Sequence, residues 1–300
     1  MQNINQISRE VIKKVVHFNT KFRNNYYNTP SSDFKYNFPV PINNVLSTRL
    51  RSIDVPNTWY TFSSHLGNNK FKMKVFCAGK RIVVDNEVMI EVPDGNYNAM
   101  QLTEYINKEF LYLSGDTTSF SFIKMEISEI DLKTRFKIIG EPPGKITYDI
   151  TFINPDLKIL MYGMGWFLGF RYAKYLNNEE ELISEGLFDG GGDRYLYISL
   201  NDFNKNRTNN NIIFLDNGFL DKDIIGKMYL SDGKFHINVN DSDSSENLKK
   251  RKFIGPVDVK RIHLKLLNEY GNTIYLNNMD FSFSLEFEIL YEKYQRNYVR

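Results

Sequence analysis

The sequence predicts a mainly β protein: an antiparallel β-sandwich of jelly-roll type, with one covering helix and long loops. Three observations predict it. Alternation of apolar and polar residues at period two recurs roughly ten times, the mark of strands with one buried face. One long stretch follows the helical period instead. Strand and helix patterns do not alternate along the chain, which argues against a doubly wound parallel sheet, and no repeat of fixed period is visible. The 300 residues suffice for a large core. They are read as an arm over 1–37 followed by one sandwich domain over 38–300, with helical and loop insertions at about 97–115 and 156–193.

In order, Val11, Ile12, Val15 and Val16 fit a short amphipathic helix inside the arm, followed by the polar link NNYYNTPSSD. A strand begins near Phe38. In NVLSTRLRSIDVP, Leu46, Thr48 and Leu50 alternate with Ser47, Arg49 and Arg51, and Pro56-Asn57 stops the run. Lys70–Phe76 and Asn86–Val92 read as strands around a turn at Ala78-Gly79-Lys80. Ala99, Leu102, Ile106, Phe110 and Leu113 then share one helical face, with Asn98 as N-cap and Gln101 in capping-box position. A helix with one apolar stripe covers a sheet.

Further strands are predicted at Thr118–Ile127, Thr134–Ile139 and Lys145–Phe152, then a short helix or buried irregular segment over 156–176 around Trp166. The stretch 177–194 reads as a long acidic and glycine-rich surface loop, Arg194–Leu200 as a strand, and 201–211 as a second loop. Lys227–Leu230 and Lys234–Val239 flank Ser231-Asp232-Gly233 as a hairpin. A loop over 240–252 leads to strands at Val257–Leu267 and Met279–Glu292. In the last of these, Phe281, Phe283, Leu285, Phe287, Ile289 and Tyr291 take every second position, with Ser282, Ser284, Glu286 and Glu288 between them.

Composition narrows the function. A net charge of +2 argues against a dedicated nucleic-acid binder. The single cysteine, Cys77, rules out an internal disulfide and suits a reducing compartment. The N-terminus lacks the apolar block of a signal peptide, and the longest apolar stretch, 159–170, is too short to span a bilayer. The expectation is a soluble chain with no membrane span. Aromatics make up 15%, a surplus that suits strands and interfaces.

Motifs for chemistry do not assemble. In Pro143-Gly144-Lys145-Ile146-Thr147, Ile146 separates the lysine from the threonine and a strand pattern follows where a phosphate-binding loop needs a helix. The glycines at 163, 165 and 169 have the wrong spacing for a dinucleotide turn. His17, His65, His236 and His263 are scattered, and the acidic stretch from Asp241 lacks the glycine of a calcium loop. There is no Gly-x-Ser-x-Gly. No catalytic, cofactor-binding or metal residues are therefore assigned, no cofactor is expected, and the chain is read as a non-enzyme. What remains are candidate interface residues: Val11, Ile12, Val15 and Val16 in the arm, and the aromatics Trp59, Tyr60 and Trp166, which read first as core packing and alternatively as interface anchors.

Three blocks carry a family resemblance: NVLSTRLRSIDVPNTWYTFSSHLGNNKF, IEVPDGNYNAMQLTEYIN, and RKFIGPVDVKRIHLKLLNEYGNTIYLNNMDFSFSLEFEILYE. Together they resemble jelly-roll minor capsid proteins, including pentons, of nucleocytoplasmic large DNA viruses. The resemblance implies a structural capsid subunit in the virion, assembled in the host cytoplasm. It implies other capsid proteins as partners, a major capsid protein among them, and a homo-oligomer, with no catalytic residues to carry over. The alternative is a β-sandwich module on the virion surface that binds a receptor or glycan.

Overall fold

The computed structural model describes residues 7–77, 87–114, 120–152, 160–208, 213–215, 218–220, 223–241 and 250–294. The predicted turn at 78–80 and the sequence between Asp241 and Lys250 lie outside them. The chain is mainly β, and its strand pairings are antiparallel. It divides into two compact units, Met1–Trp59 with Asp193–Arg300, and Tyr60–Gly192. This is a different division from a single sandwich over 38–300. The insertion anticipated as one helix and one loop is a unit with its own core.

The first unit begins with β1 (Ile7–Asn19) and β2 (Asp33–Pro56). The second contains β3 (Lys70–Cys77), β4 (Val88–Glu91), α1 (Ala99–Leu113), β5 (Ile123–Ile127), β6 (Thr134–Ile138), β7 (Ile146–Thr151), α2 (Met164–Phe167), β8 (Lys174–Asn178) and β9 (Leu182–Ile183). The chain then returns to the first unit with β10 (Tyr195–Asn201), β11 (Ile213–Leu215), β12 (Gly218–Leu220), β13 (Ile224–Tyr229), β14 (Ile237–Asp241), β15 (Lys250–Leu267) and β16 (Ser282–Tyr294).

The first unit is built on one long sheet in the order β1-β16-β2-β15-β10-β13, with β14 added to β2, and a separate pair β11-β12. The sheet folds over its own core because β2 bends. Fully extended at about 3.3 Å per residue, Phe34 and Ile53 would stand ~60 Å apart. Yet the Phe34 ring lies 5.7 Å from Phe283, the partner of Ile53. Register shifts against β16 pass over Leu46 and Arg51, so that Val45, Thr48, Leu50 and Ile53 all face inward opposite Ile289, Phe287, Leu285 and Phe283. These bulges break the simple alternation read from the sequence and sharpen the bend. Leu46 is left half-buried while Val45 is fully buried.

The arm is not a helix. Val11, Ile12, Val15 and Val16 lie on β1, which pairs with β16 from Ile7↔Tyr294 to Asn19↔Ser282. β-branched side chains are stiff in a helix and fit a pleated surface, and the whole length of β16 offers backbone partners. The predicted hairpin around Ser231-Asp232-Gly233 also fails. β13 pairs with β10 and β14 with β2, so the turn carries the chain between two parts of the sheet.

In the second unit, the sheets β4-β3-β7-β8 and β5-β6-β9 enclose a core that includes Phe71, Phe136, Phe152 and Phe170. Helix α1 covers it through Leu102, Ile106 and Phe110. Its start is the predicted capping box: the Gln101 N–H donates to Asn98 Oδ1 at 2.8 Å, and the Asn98 N–H donates to Gln101 Oε1 at 3.1 Å. Asn107 fastens the helix to β5, accepting from the Met125 N–H and donating to the Met125 carbonyl, both at 2.9 Å. Asn98→Ala is expected to cost about 1 kcal/mol, read as a lower urea midpoint with unchanged slope. An unchanged midpoint would count against the cap.

The stretch 177–194 is not a free loop. The Ser184 N–H donates to the Thr134 carbonyl at 2.9 Å, the Phe188 N–H to Leu132 at 2.7 Å and the Asp189 N–H to Phe167 at 2.8 Å. Glycine makes the close approach feasible. Gly169 sits at φ +92, and a Cβ there would collide with the Gly186 carbonyl.

Candidate assembly surfaces

Strand register defines the two faces of the long sheet. Phe18, Phe283 and Ile53 share the core face. The opposite face carries rows that run across β1, β16 and β2. In one row His17 Nδ1 lies 2.8 Å from Ser284 Oγ, which accepts from Ser52 Oγ at 3.0 Å. In the next, Glu286 is buried between Arg51 at 3.1 Å and Lys13 at 3.5 Å. Beyond it Glu288 meets Lys250 at 2.7 Å and the Ser47 hydroxyl at 2.6 Å. The polar face predicted for the last strand is therefore occupied by three groups of paired charges and hydroxyls, one in each row.

The edges of this face are different. On β1, Val11 is 56% exposed and Val15 is 36% exposed. Both lie on the outer face, opposite Leu290 and Glu286. Ile12 is exposed too, while Val16 turns inward and packs on the core. On β14, Ile237 is 62% and Val239 66% exposed, whereas Asn238 between them is buried. Phe235, just before the strand, holds a left-handed backbone at φ 66 with its ring in solvent, and its N–H donates to the Asn57 carbonyl at 2.9 Å. Sequence reasoning missed the β14 stripe. Its alternation was visible, but the face that looks outward is the apolar one.

The predicted aromatics differ in their surroundings. Trp59 is core: it is buried, its indole N–H donates to Asp193 Oδ2 at 2.8 Å, and Lys234 stands 4.7 Å from its ring. Tyr60 is half-buried. Trp166, at the short α2, is half-buried beneath the Arg171 guanidinium, 4.1 Å from the ring.

Burial around Trp59 has a pH consequence. It pushes the Asp193 carboxyl up and pulls the Lys234 ammonium down to about 8, with Asp193 partly offsetting the latter. Lys234 also donates to the Trp59 carbonyl at 3.0 Å. Between about pH 8 and 10.5 the unfolded chain holds the Lys234 proton more tightly than the folded one. Stability from this group therefore rises with pH across that window, by roughly 3 kcal/mol at most. Lys234→Met should flatten that rise. Urea unfolding of both proteins at pH 7.5 and 10 checks it, and the same rise in the variant would refute it.

Among the described residues, no cluster of three His, Cys, Asp or Glu side chains is arranged to hold a metal. No described helix is long and apolar enough to cross a membrane. No protein-family model matches the chain, and no curated protein does either. Among solved structures it is similar to the crystal structure of a selenomethionine-labelled mavirus penton protein, at 10% identity and a TM-score of 0.49, over 94% of this chain and 100% of that one.

Proposed function

We propose that the chain is a structural subunit of a viral capsid: a minor capsid protein of jelly-roll type, of which a vertex penton is the most specific form. One observation carries the reading. Two of the three sequence blocks that resemble capsid proteins contain most of β2, β15 and β16, and these are hydrogen-bonded neighbours at the centre of the long sheet. The third block contains the capped start of α1. The resemblance thus falls on the framework of both units. The opposite face of that framework is occupied by interlocked charges, and apolar side chains are exposed at its edges. On this reading the protein works by shape and contact. It sits in virions that assemble in the host cytoplasm, beside a major capsid protein, and it turns over no substrate.

Mass spectrometry of purified particles, with a density map to locate the chain, tests the proposal. The expected result is the protein in the shell at a fixed copy number. Its absence from particles would overturn the reading, as would an enzymatic turnover abolished by one point substitution.

A further inference from the structure

We propose that the long sheet continues from one copy of this chain into the next, with β14 of one copy pairing against β1 of its neighbour. This stands on the sheet alone and does not rest on the capsid reading. Across its outer face the sheet runs β1, β16, β2, β14, each strand antiparallel to the next. Four is an even number, so the two lateral strands run in opposite directions. A second copy set alongside presents its β1 antiparallel to β14, and the alternation continues across the joint. An odd number of strands would have brought parallel edges together, the weaker pairing.

Among the described residues β1 pairs only with β16 and β14 only with β2. Such edges template further pairing unless they are blunted. Ile237–Asp241 contains neither proline nor lysine. β1 carries two lysines: the Lys13 ammonium reaches back over the sheet to Glu286, 3.5 Å away, and Lys14 lies on the other face, opposite Phe287, away from the apolar stripe. The exposed apolar residues also match in face. Val11 and Val15 on β1 and Ile237 and Val239 on β14 all lie on the outer face. Val239 stands level with Asn19 in its own sheet, so a joint in which the neighbour is offset along the strands, bringing β14 opposite Val11–Val15, would bury the four together, with the Phe235 ring next to them. The occupant of each edge is thus the other edge of the same chain. A contact between two different surfaces of one chain propagates head to tail, into a closed ring or a filament.

The test uses the full chain carrying Cys77→Ser. Val239→Cys protein is mixed with Val15→Cys or Val11→Cys protein and oxidised gently. All three positions are exposed, and circular dichroism of each variant confirms that the fold is kept. The expected result is a covalent dimer in at least one mixture, little from any single variant alone, and a ladder of species when both cysteines are in one chain. Independently, Val239→Lys should weaken self-association at least tenfold by light scattering. No cross-link in either mixture would overturn the proposal. So would a Val15→Cys or Val11→Cys variant that dimerises alone as well as the mixture does, because β1 would then be pairing with β1. A wild-type chain that stays monomeric at all concentrations would remove the joint, whereas absence from purified particles would remove the capsid role.

Discussion

Phe283→Ala is expected to destabilise the protein by about 3–5 kcal/mol, through lost burial and the cavity left behind. Phe283 is almost fully buried at the point where the bent sheet closes on itself. Its ring stacks on Phe18 at 4.7 Å and 15° and meets Phe34 edge-on at 5.7 Å. Those partners come from β1 and from the far end of β2, so one truncation loosens the last strand and the two first ones together. Ser284, the next residue, points to the other face and joins His17 and Ser52 by hydrogen bonds of 2.8 and 3.0 Å. Ser284→Ala should cost only about 1 kcal/mol, the net worth of such bonds. Urea denaturation of both variants decides the matter. Equal costs at the two positions would mean that the face assignment of β16 is wrong.

Period-two alternation reports which side chains of one strand share a face, and along most of β16 it does so: Phe283, Leu285 and Phe287 are buried on the core face and Ile289 is half-buried, whereas Tyr291 is exposed and Ser284 and Glu286 are buried on the other face. The capped helix was equally legible, because Asn98 and Gln101 act locally and the apolar stripe is continuous. What the pattern does not carry is the identity of the partner strand. Val11, Ile12, Val15 and Val16 fit a helix and a strand alike, and only the length of β16 beside them decides. The same holds for β13 and β14. A turn between two strands reads as a hairpin, but β10 and β2 compete for the same backbone groups and win. Bulges opposite the passed-over Leu46 and Arg51 shift the inward face midway along β2, which no fixed period describes. The division into two units was hidden for a related reason. Tyr60–Gly192 has strands of the same kind as the rest, and its separateness lies in which strands pair. The two β edges were half legible: the arm residues were singled out, while Ile237 and Val239 were read only as part of a hairpin strand.

Asp202→Ala should cost a further ~3–5 kcal/mol elsewhere, because it strands a buried cation. Arg251 on β15 is almost wholly enclosed. It donates to Asp202 Oδ2 at 2.8 Å, to the Leu200 carbonyl at 2.6 Å and to the Asp223 carbonyl at 2.9 Å. Burial pulls its pKa down and Asp202 pushes it back up. Arg207 closes the cluster, 3.5 Å from Asp202 and bonded to Asp223. The cluster ties the segment after β10 to β15 and to the start of β13. The carboxylate therefore matters less for its own attraction than for what its loss leaves unpaired. Replacing both partners by apolar residues, Asp202→Leu with Arg251→Met, removes the two charges together. The double variant should recover most of the loss, to within about 2 kcal/mol of the natural chain. A double-mutant cycle by urea unfolding measures this. If the two single losses simply add in the double variant, Asp202 and Arg251 are not one unit. A loss below about 1 kcal/mol for Asp202→Ala would mean that Arg251 finds enough compensation in the Leu200 and Asp223 carbonyls alone.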